Sequence, residues 1–251
     1  MSALLDPADL LSRAKRRDPS RPLVTYYDLD AGGRVELSVA TVDNWVAKTA
    51  GLLSDELGVA DGDVVDVDLP AHWLGLVVLQ AAWTLGASVA VPGADGARAG
   101  AQRAEAAVRV RAADEVGTQA AGTSSGDGLV VTSTRPLGGP AGIPLPPGAV
   151  DLGRDVLGYP DALAVPAVPS PDPLLSAASL PPSEPGARRL VVASRLDASV
   201  ATDALLVPLR DDGSVVLVRT TRAVPQDEAT LPPDIAAIAA DERARVTTGR
   251  R

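Results

Sequence analysis

The chain has no cysteine and no phenylalanine, a single histidine, and only two lysines among its 251 residues. Because cysteine is absent, a disulfide framework, a thiolate zinc site and a cysteine nucleophile are all excluded. Because phenylalanine is absent, the three tryptophans must supply much of the large-volume packing of the core. The sequence therefore indicates an aliphatic core and a narrow set of residues able to perform chemistry.

Charge and hydropathy limit the partners and the location of the protein. The formal net charge is −9, and a nucleic-acid surface needs clustered Lys and Arg, so no nucleic-acid partner is expected. The longest apolar run, residues 73–85, is too short to span a bilayer and predicts a buried helix. The N-terminus, with Asp6, Asp9 and a basic cluster at 13–17, predicts a capped helix and not a signal peptide. We therefore expect a cytoplasmic protein that does not bind membranes.

Residues 22–92 predict a run of α/β elements in a fixed order. Apolar residues at helical spacing predict an amphipathic helix that Ser38 or Thr41 caps and Gly58 ends. A glycine-rich hairpin turn precedes it, because glycine tolerates positive φ. The predicted elements are strands at 23–30 and 34–39, a helix at 41–57, a strand within 59–70, a helix at 73–85 and a strand at 87–91.

This order of elements is similar to the N-terminal subdomain of the AMP-binding superfamily of acyl-CoA synthetases, luciferases and peptide-synthetase adenylation domains. The matching residues are Leu57-Gly58-Val59 at a helix end, Gly62-Asp63 in a turn and Gly86-Ala87 after the next helix. A fainter match lies at 205–218. The chain resembles most a group of short, uncharacterised actinobacterial proteins distantly related to these enzymes. The resemblance implies a three-layer α/β fold with a mostly parallel sheet and flanking helices.

The positions on which that superfamily's activity depends are not matched. Its members hold ATP phosphates with a Ser/Thr/Gly-rich loop ending in lysine, since backbone N–H groups and a cation must oppose the negative charge. The only lysines here are Lys15 and Lys48. The segment most similar to that phosphate-binding loop is residues 122–128, but it has an aspartate where a cation is needed. It also precedes the apolar run 129–132 instead of following a strand. Its composition therefore indicates a flexible linker. The resemblance places the superfamily's ribose-binding aspartate and late lysine beyond residue 251.

Beyond residue 92 the pattern is looser. The predicted organisation is an N-terminal α/β subdomain at 1–128 and a second α/β portion at 129–251 that packs on it. Proline is dense over 159–187, where it removes backbone donors and predicts an extended connector or surface wrap. The predicted strand at 189–194, helix at 198–209 and strand at 214–219 follow one another, and this order implies a right-handed crossover onto a parallel sheet. The predicted elements are helices at 98–107, 151–157, 198–209 and 233–245 and strands at 108–110, 189–194 and 214–219.

Few residues are candidates for a site. His72 follows the strand that contains Asp66 and Asp68, whose side chains point to one face. Because ligands in open α/β sheets bind outside the carboxyl ends of strands, Asp68 and His72 are the candidate ligand-binding residues. The favoured alternative is a histidine that caps a helix beside solvated carboxylates. No catalytic residue, metal or cofactor is assigned.

Functions of different classes fit these observations. The favoured one is a non-catalytic AMP-binding-enzyme-like protein that acts as a binding or interaction module and lacks the phosphate loop and catalytic lysine. One alternative is a divergent enzyme related to acyl-CoA synthetases or acyl-AMP ligases, whose phosphate loop another chain supplies. Another is an acyl- or nucleotide-binding sensor. The expected partner is accordingly a protein or a small acyl or nucleotide ligand.

Overall fold

The computed structural model describes residues 4–93, 103–119, 126–163, 166–225 and 228–246. Its strands are β1 (Pro22–Asp28), β2 (Arg34–Ser38), β3 (Val64–Asp68), β4 (Ser88–Ala90), β5 (Val108–Ala112), β6 (Leu129–Thr132), β7 (Val150–Asp151), β8 (Arg188–Ala193), β9 (Ser214–Arg219) and β10 (Arg245–Val246). Its α-helices are α1 (Pro7–Arg17), α2 (Val39–Leu57), α3 (Trp73–Thr84), α4 (Ala113–Gln119), α5 (Leu152–Asp155), α6 (Ala198–Ala201), α7 (Val207–Arg210) and α8 (Pro233–Asp241). A π-helical turn, Thr202–Leu206, joins α6 to α7.

The strands form two five-stranded sheets. Sheet 1 has the order β10-β8-β9-β1-β2, and only β2 runs antiparallel to its neighbour. Sheet 2 has the order β4-β3-β5-β6-β7 and is parallel throughout. The prediction of a mostly parallel α/β fold with flanking helices is confirmed. Sheet 1 combines strands from the two ends of the chain, with β1 directly beside β9.

The residues predicted to begin and end the helices in the first third of the chain do so in the structure. The Ser38 hydroxyl accepts a hydrogen bond from the Thr41 amide at 3.1 Å, which caps α2. Gly58 ends α2 in the left-handed conformation, with φ 67°. Asp6 caps α1 by accepting from the Asp9 amide at 3.1 Å, and a proline follows it. Local sequence therefore sets the ends of these helices.

Helix α3 is the centre of the core, because all of its side chains are buried. It can approach the segment after β8 closely since residue 75 is glycine, whose added Cβ would lie 2.6 Å from Leu196 Cδ2. The main apolar cluster surrounds α3 and includes side chains from both sheets and from α1 and α2. A smaller cluster lies where α8 packs on β8 and β9. No helix within the described ranges is long and apolar enough to cross a membrane.

The proline-rich segment is attached to the core by buried polar side chains. Asp172 accepts hydrogen bonds from Trp83 Nε1 at 2.9 Å, from the Val89 amide at 2.7 Å and from the Leu174 amide at 2.9 Å. The Ser170 hydroxyl donates to the Ala87 carbonyl at 2.7 Å. These bonds replace the ladder that prolines cannot form, and they hold the segment against α3 and β4.

Several element bounds differ from those predicted. The last helix ends at Asp241 and not at 245, because Arg243 adopts a left-handed φ of 50° that an α-helix cannot continue through. The strand expected at 108–110 extends to Ala112. The first half of the predicted helix at 98–107 and most of the loop at 122–128 lie outside the described residues.

Candidate functional site

A charged cluster lies at the carboxyl ends of β3 and β5. Asp66, in β3, is only 2% exposed. It pairs with Arg111 of β5 and lies 3.4 Å from Arg103 Nε. The parallel register of β3 and β5 places Arg111 opposite Asp68, so these charges lie together at the carboxyl ends of the two strands. The charged cluster consists of Asp66, Asp68, Arg103, Arg111, Glu115 and Arg195.

Asp68 joins this cluster through arginines from distant parts of the chain. It pairs with Arg195, and its second oxygen lies 3.7 Å from Arg103 Nη1. Arg195 also binds Glu115 at 2.7 Å. The Leu196 amide donates to the Leu69 carbonyl at 2.9 Å, so the segments after β3 and β8 lie side by side and Arg195 faces Asp68.

The cluster holds equal numbers of opposite charges. Three carboxylates face three guanidinium groups, so their formal charges cancel. Asp66 Oδ1 and Arg103 Nη2 are buried and make no hydrogen bond within the part of the chain that the structure describes. Because the pairs link residues of different elements, the arrangement is suited to joining β3, β5 and the segment after β8.

His72 belongs to a different network from Asp68. It is 2% exposed, and its Nδ1 accepts from the Leu74 amide at 3.1 Å, which caps α3. Its Nε2 lies 3.0 Å from the Arg135 carbonyl. Because a carbonyl only accepts, Nε2 carries the proton and donates. Burial lowers the pKa of His72 to about 4, opposed by the bond to the Arg135 carbonyl.

The structure thus gives the two sequence-predicted site residues separate roles. His72 is a neutral helix cap, and Asp68 is a half-buried carboxylate that is paired with Arg195. Ligand binding by Asp68 and His72 stays a prediction. No group of three or more histidine, aspartate or glutamate side chains suited to a metal ion occurs within the described ranges.

The loop after β6, residues 133–149, covers the N-terminal end of α3. Trp73 Nε1 donates to the Pro136 carbonyl at 2.8 Å, beside the bond from His72 to Arg135. An added Cβ at Gly138 would lie 3.1 Å from Leu74 Cδ1, so the loop backbone is in close contact with the helix. Two carbonyl oxygens of the loop therefore accept hydrogen bonds from side chains at the start of α3, the end of a helix that attracts anions.

Arg135, on the same loop, is held by neutral oxygens. Its Nε donates to the Ser133 hydroxyl at 3.1 Å, and its Nη2 donates to the Pro140 carbonyl at 2.6 Å. These bonds fix the guanidinium in the loop without neutralising its charge. Arg135 is thus an exposed cation that sequence reasoning missed, on the loop whose backbone contacts His72.

A buried network at the end of β1 was also missed. Asp28 is 1% exposed, and it accepts from Arg219 Nη1 at 3.1 Å and from the Tyr26 hydroxyl at 3.2 Å. Burial, followed by the nearby Asp28 charge, raises the pKa of Tyr26. The Tyr26 ring lies 4.6 Å from the His72 ring. The two-residue spacing of Tyr26 and Asp28 in a strand was the available signal, because it puts both on one face.

Both lysines lie on helices and are engaged. Lys15 of α1 forms an ion pair with Asp43 of α2. Lys48 of α2 lies 2.9 Å from Asp161 and also donates to the Tyr159 carbonyl. These contacts join α1 to α2 and α2 to the segment after α5.

Comparison with known proteins gives one relative and a shared fold. No family model matches the chain. The chain is 37% identical over 183 residues to a TIGR03089 family protein of Mycobacterium tuberculosis (strain ATCC 25618 / H37Rv), a match that covers 71% of this chain and 67% of the relative.

The structural neighbours are acyl-CoA synthetases. An acyl-CoA synthetase of Brucella canis superposes with a TM-score of 0.67 at 17% identity, over 98% of this chain and 47% of the synthetase. An acetoacetyl-CoA synthetase of Streptomyces lividans superposes with a TM-score of 0.62 at 19% identity, over 86% of this chain and 38% of that enzyme. The chain therefore has the fold of an N-terminal-like part of these enzymes and spans less than half of their length, as the resemblance predicted.

Proposed function

The chain belongs to the TIGR03089 family, and we propose that it is a cytoplasmic, non-catalytic binding or interaction module built on an acyl-CoA synthetase-like scaffold. In this proposal the protein keeps the sheets and helices of the scaffold but lacks the groups that handle ATP. Its partner is a protein or a small acyl or nucleotide ligand, and it binds neither nucleic acid nor membranes.

The observation that carries the proposal is the way the loop after β6 packs on α3. Phosphate binding at a helix N-terminus needs free backbone N–H groups and a nearby cation. Here the Leu74 amide donates to His72, and the carbonyls of Arg135 and Pro136 accept from the side chains beside it. Carbonyl oxygens repel phosphate oxygens, which favours a role other than ATP binding at this end of α3.

The charged cluster supports the same interpretation. Each of its three arginines is paired with a carboxylate of the same cluster. A triphosphate would have to displace those carboxylates, and displacing the buried Asp66 would leave its charge without a partner at a cost of about 3 to 5 kcal/mol.

The test is ATP–pyrophosphate exchange with the purified full chain and a panel of acetate, octanoate and benzoate. An active acyl-CoA synthetase in the same buffer serves as the positive control. We expect no exchange above the protein-free background with any acid. Exchange that depends on a carboxylic acid and rises with protein concentration would refute the non-catalytic assignment.

Arg135 favours a second candidate, an acyl- or nucleotide-binding sensor. Its guanidinium is bound to neutral oxygens and retains its charge, so it can attract a phosphate or carboxylate group. Calorimetry with ATP, AMP and an acyl-CoA tests this. If one of them binds, Arg135→Gln should weaken binding about tenfold or more. The matched control is Arg154→Gln, because Arg154 is exposed and paired with Asp155.

A divergent enzyme completed by another chain is the remaining alternative. It requires a second subunit that brings a phosphate loop to this scaffold. Co-purification from the native host, followed by the exchange assay on the resulting complex, distinguishes it from the module. A monomer without nucleotide affinity would exclude the two-chain enzyme.

A further inference from the structure

Helices α3 and α4 lie on opposite faces of sheet 2. Val130 and Val131 are neighbours in β6, so their side chains point to opposite faces. Val130 belongs to the main apolar cluster that surrounds α3, whereas Val131 packs with Ala113 and Val116 of α4. The chain therefore leaves β3 towards one face, through α3, and leaves β5 towards the other face, through α4.

The carboxyl ends of β3 and β5 are accordingly the switch point of sheet 2. The two strands are adjacent and parallel, and the strand order β4-β3-β5-β6-β7 places β3, the first of these strands in the chain, inside the sheet. In open α/β sheets, ligands bind in the crevice that diverging connections leave at such a point. Topology therefore predicts a binding crevice where the charged cluster lies.

Arg195, from a distant part of the chain, reaches the switch point. It lies after β8 and forms an isolated antiparallel bridge with Pro70, just beyond the end of β3. Its guanidinium pairs through Nη2 with Asp68 at the end of β3. Through Nη1 it pairs at 2.7 Å with Glu115 in the first turn of α4. Two carboxylates on either side of the switch point thus hold one guanidinium, each through a different nitrogen.

These three side chains are accessible to solvent. Arg195 is 42% exposed, Glu115 31% and Asp68 27%. Ion pairs with this exposure contribute little to stability, because water screens both charges. The other contact of Asp68, with Arg103 Nη1, is longer at 3.7 Å. Arg195 can therefore turn into solvent at little cost, and the two carboxylates can then hold a second cation.

We propose that Asp68 and Glu115 form a docking site for an arginine side chain of a basic partner protein, which enters the crevice in place of Arg195. The chemistry is that of the contact already present, in which carboxylates accept from separate N–H groups of a planar guanidinium. Charge also selects the partner, since a chain with a net charge of −9 attracts a basic protein. The proposal rests on the proposed function as an interaction module and names the class of its partner.

Isothermal titration of the full chain with the peptide acetyl-Gly-Arg-Gly-Arg-Gly-Arg-amide tests the proposal. We expect saturable binding of one peptide per chain. The same peptide with citrulline in place of arginine has nearly the same shape without the charge, and it should bind at least about tenfold more weakly. Ethylguanidinium, which represents a small free cation, should also bind at least about tenfold more weakly, because it makes no contact outside the crevice.

Removing the internal cation should strengthen binding. Arg195→Gln should bind the arginine peptide about tenfold more tightly than the wild type, because the peptide no longer competes with a tethered guanidinium. Arg13→Gln is the matched control and should bind like the wild type, since it removes one positive charge from an exposed ion pair on α1.

Removing the carboxylates should have the opposite effect. The double variant Asp68→Asn/Glu115→Gln should bind the peptide at least about tenfold more weakly. Its matched control, Asp55→Asn/Glu56→Gln, removes the same charge from the exposed end of α2 and should bind like the wild type. Glu115→Gln alone changes a half-buried side chain and should weaken binding about threefold, which provides the test if the double variant does not fold.

Several results would overturn the proposal. They are the absence of saturable binding by the wild type, equal affinity for the arginine and citrulline peptides, and binding of ethylguanidinium as tight as that of the arginine peptide. In samples whose circular dichroism is that of the wild type, they are also an affinity of Arg195→Gln no higher than that of Arg13→Gln and undiminished binding by the carboxylate variants. The titration contains neither ATP nor a carboxylic acid, so its failure leaves the non-catalytic assignment to the exchange assay.

Discussion

Lowering the pH should destabilise the protein through His72, because the neutral ring is built into the start of α3. Nδ1 accepts from the Leu74 amide at 3.1 Å, and Nε2 donates to the Arg135 carbonyl at 3.0 Å. A proton added to Nδ1 would face the Leu74 N–H and remove the helix cap. Burial lowers the pKa of the ring from 6.5 to about 4.

The sign and size of the effect follow from the two pKa values. Below pH 6.5 the unfolded chain binds a proton at His72 and the folded chain does not, so stability is lost as the pH falls towards the folded pKa. Each unit of pKa difference corresponds to about 1.4 kcal/mol. The contribution of His72 to the free energy of unfolding should be about 2 kcal/mol smaller at about pH 5 than at about pH 8. At about pH 4 it should be about 3 kcal/mol smaller than at about pH 8.

The measurement is urea unfolding of the wild type and of His72→Asn, followed by tryptophan fluorescence, at about pH 8 and at about pH 5. Asparagine also caps helices through its side-chain oxygen but does not titrate. Between about pH 8 and about pH 5, the wild type should lose about 2 kcal/mol more of its free energy of unfolding than the variant. Parallel losses in the two proteins, or an NMR titration of His72 centred near its ordinary value of 6.5, would show that the reasoning is wrong.

Two further substitutions test the packing of the loop after β6 and of the proline-rich segment. Gly153→Ala should lower the free energy of unfolding by at least about 2 kcal/mol, since its Cβ would lie 1.9 Å from the Gly139 carbonyl oxygen. Gly158→Ala, with open space at its Cβ, should change it by less than about 0.5 kcal/mol; equal melting temperatures would contradict the model of a closely packed loop. Asp172→Ala should cost about 3 kcal/mol in urea unfolding, because it leaves buried donors unpaired. The exposed Asp161→Ala should cost less than about 1 kcal/mol, and an equal midpoint for the two would count against the anchoring role.

The first third of the fold was predictable because its signals are local. The start of α2 depends on a hydrogen bond from the Thr41 amide to the Ser38 side chain, and its end depends on a left-handed Gly58. Such caps involve residues within one turn of each other, so the printed sequence contains everything that specifies them. The last helix was predicted too long because Arg243, which adopts a positive φ, carries no glycine-like signal.

The candidate site was less predictable because its partners come from distant parts of the chain. Asp68 and His72 were identified from their place after a buried strand, but the pairing of Asp68 with Arg195 spans 127 residues. No spacing rule relates positions that far apart. The same holds for His72 and Arg135, which are 63 residues apart and are joined through a backbone carbonyl that has no sequence signature.

The scarcity of lysine, cysteine and phenylalanine limited the chemistry of this chain before any coordinates were known. It excluded thiolate sites and left only Lys15 and Lys48 as ammonium groups. Composition states which groups exist, but not what surrounds them. Folding placed both lysines in ion pairs and brought the carbonyl oxygens of Arg135 and Pro136 against side chains at the start of α3. Burial, pairing and cavity shape arise from the packing of separate elements, and so the environment of each charge became defined only in the folded chain.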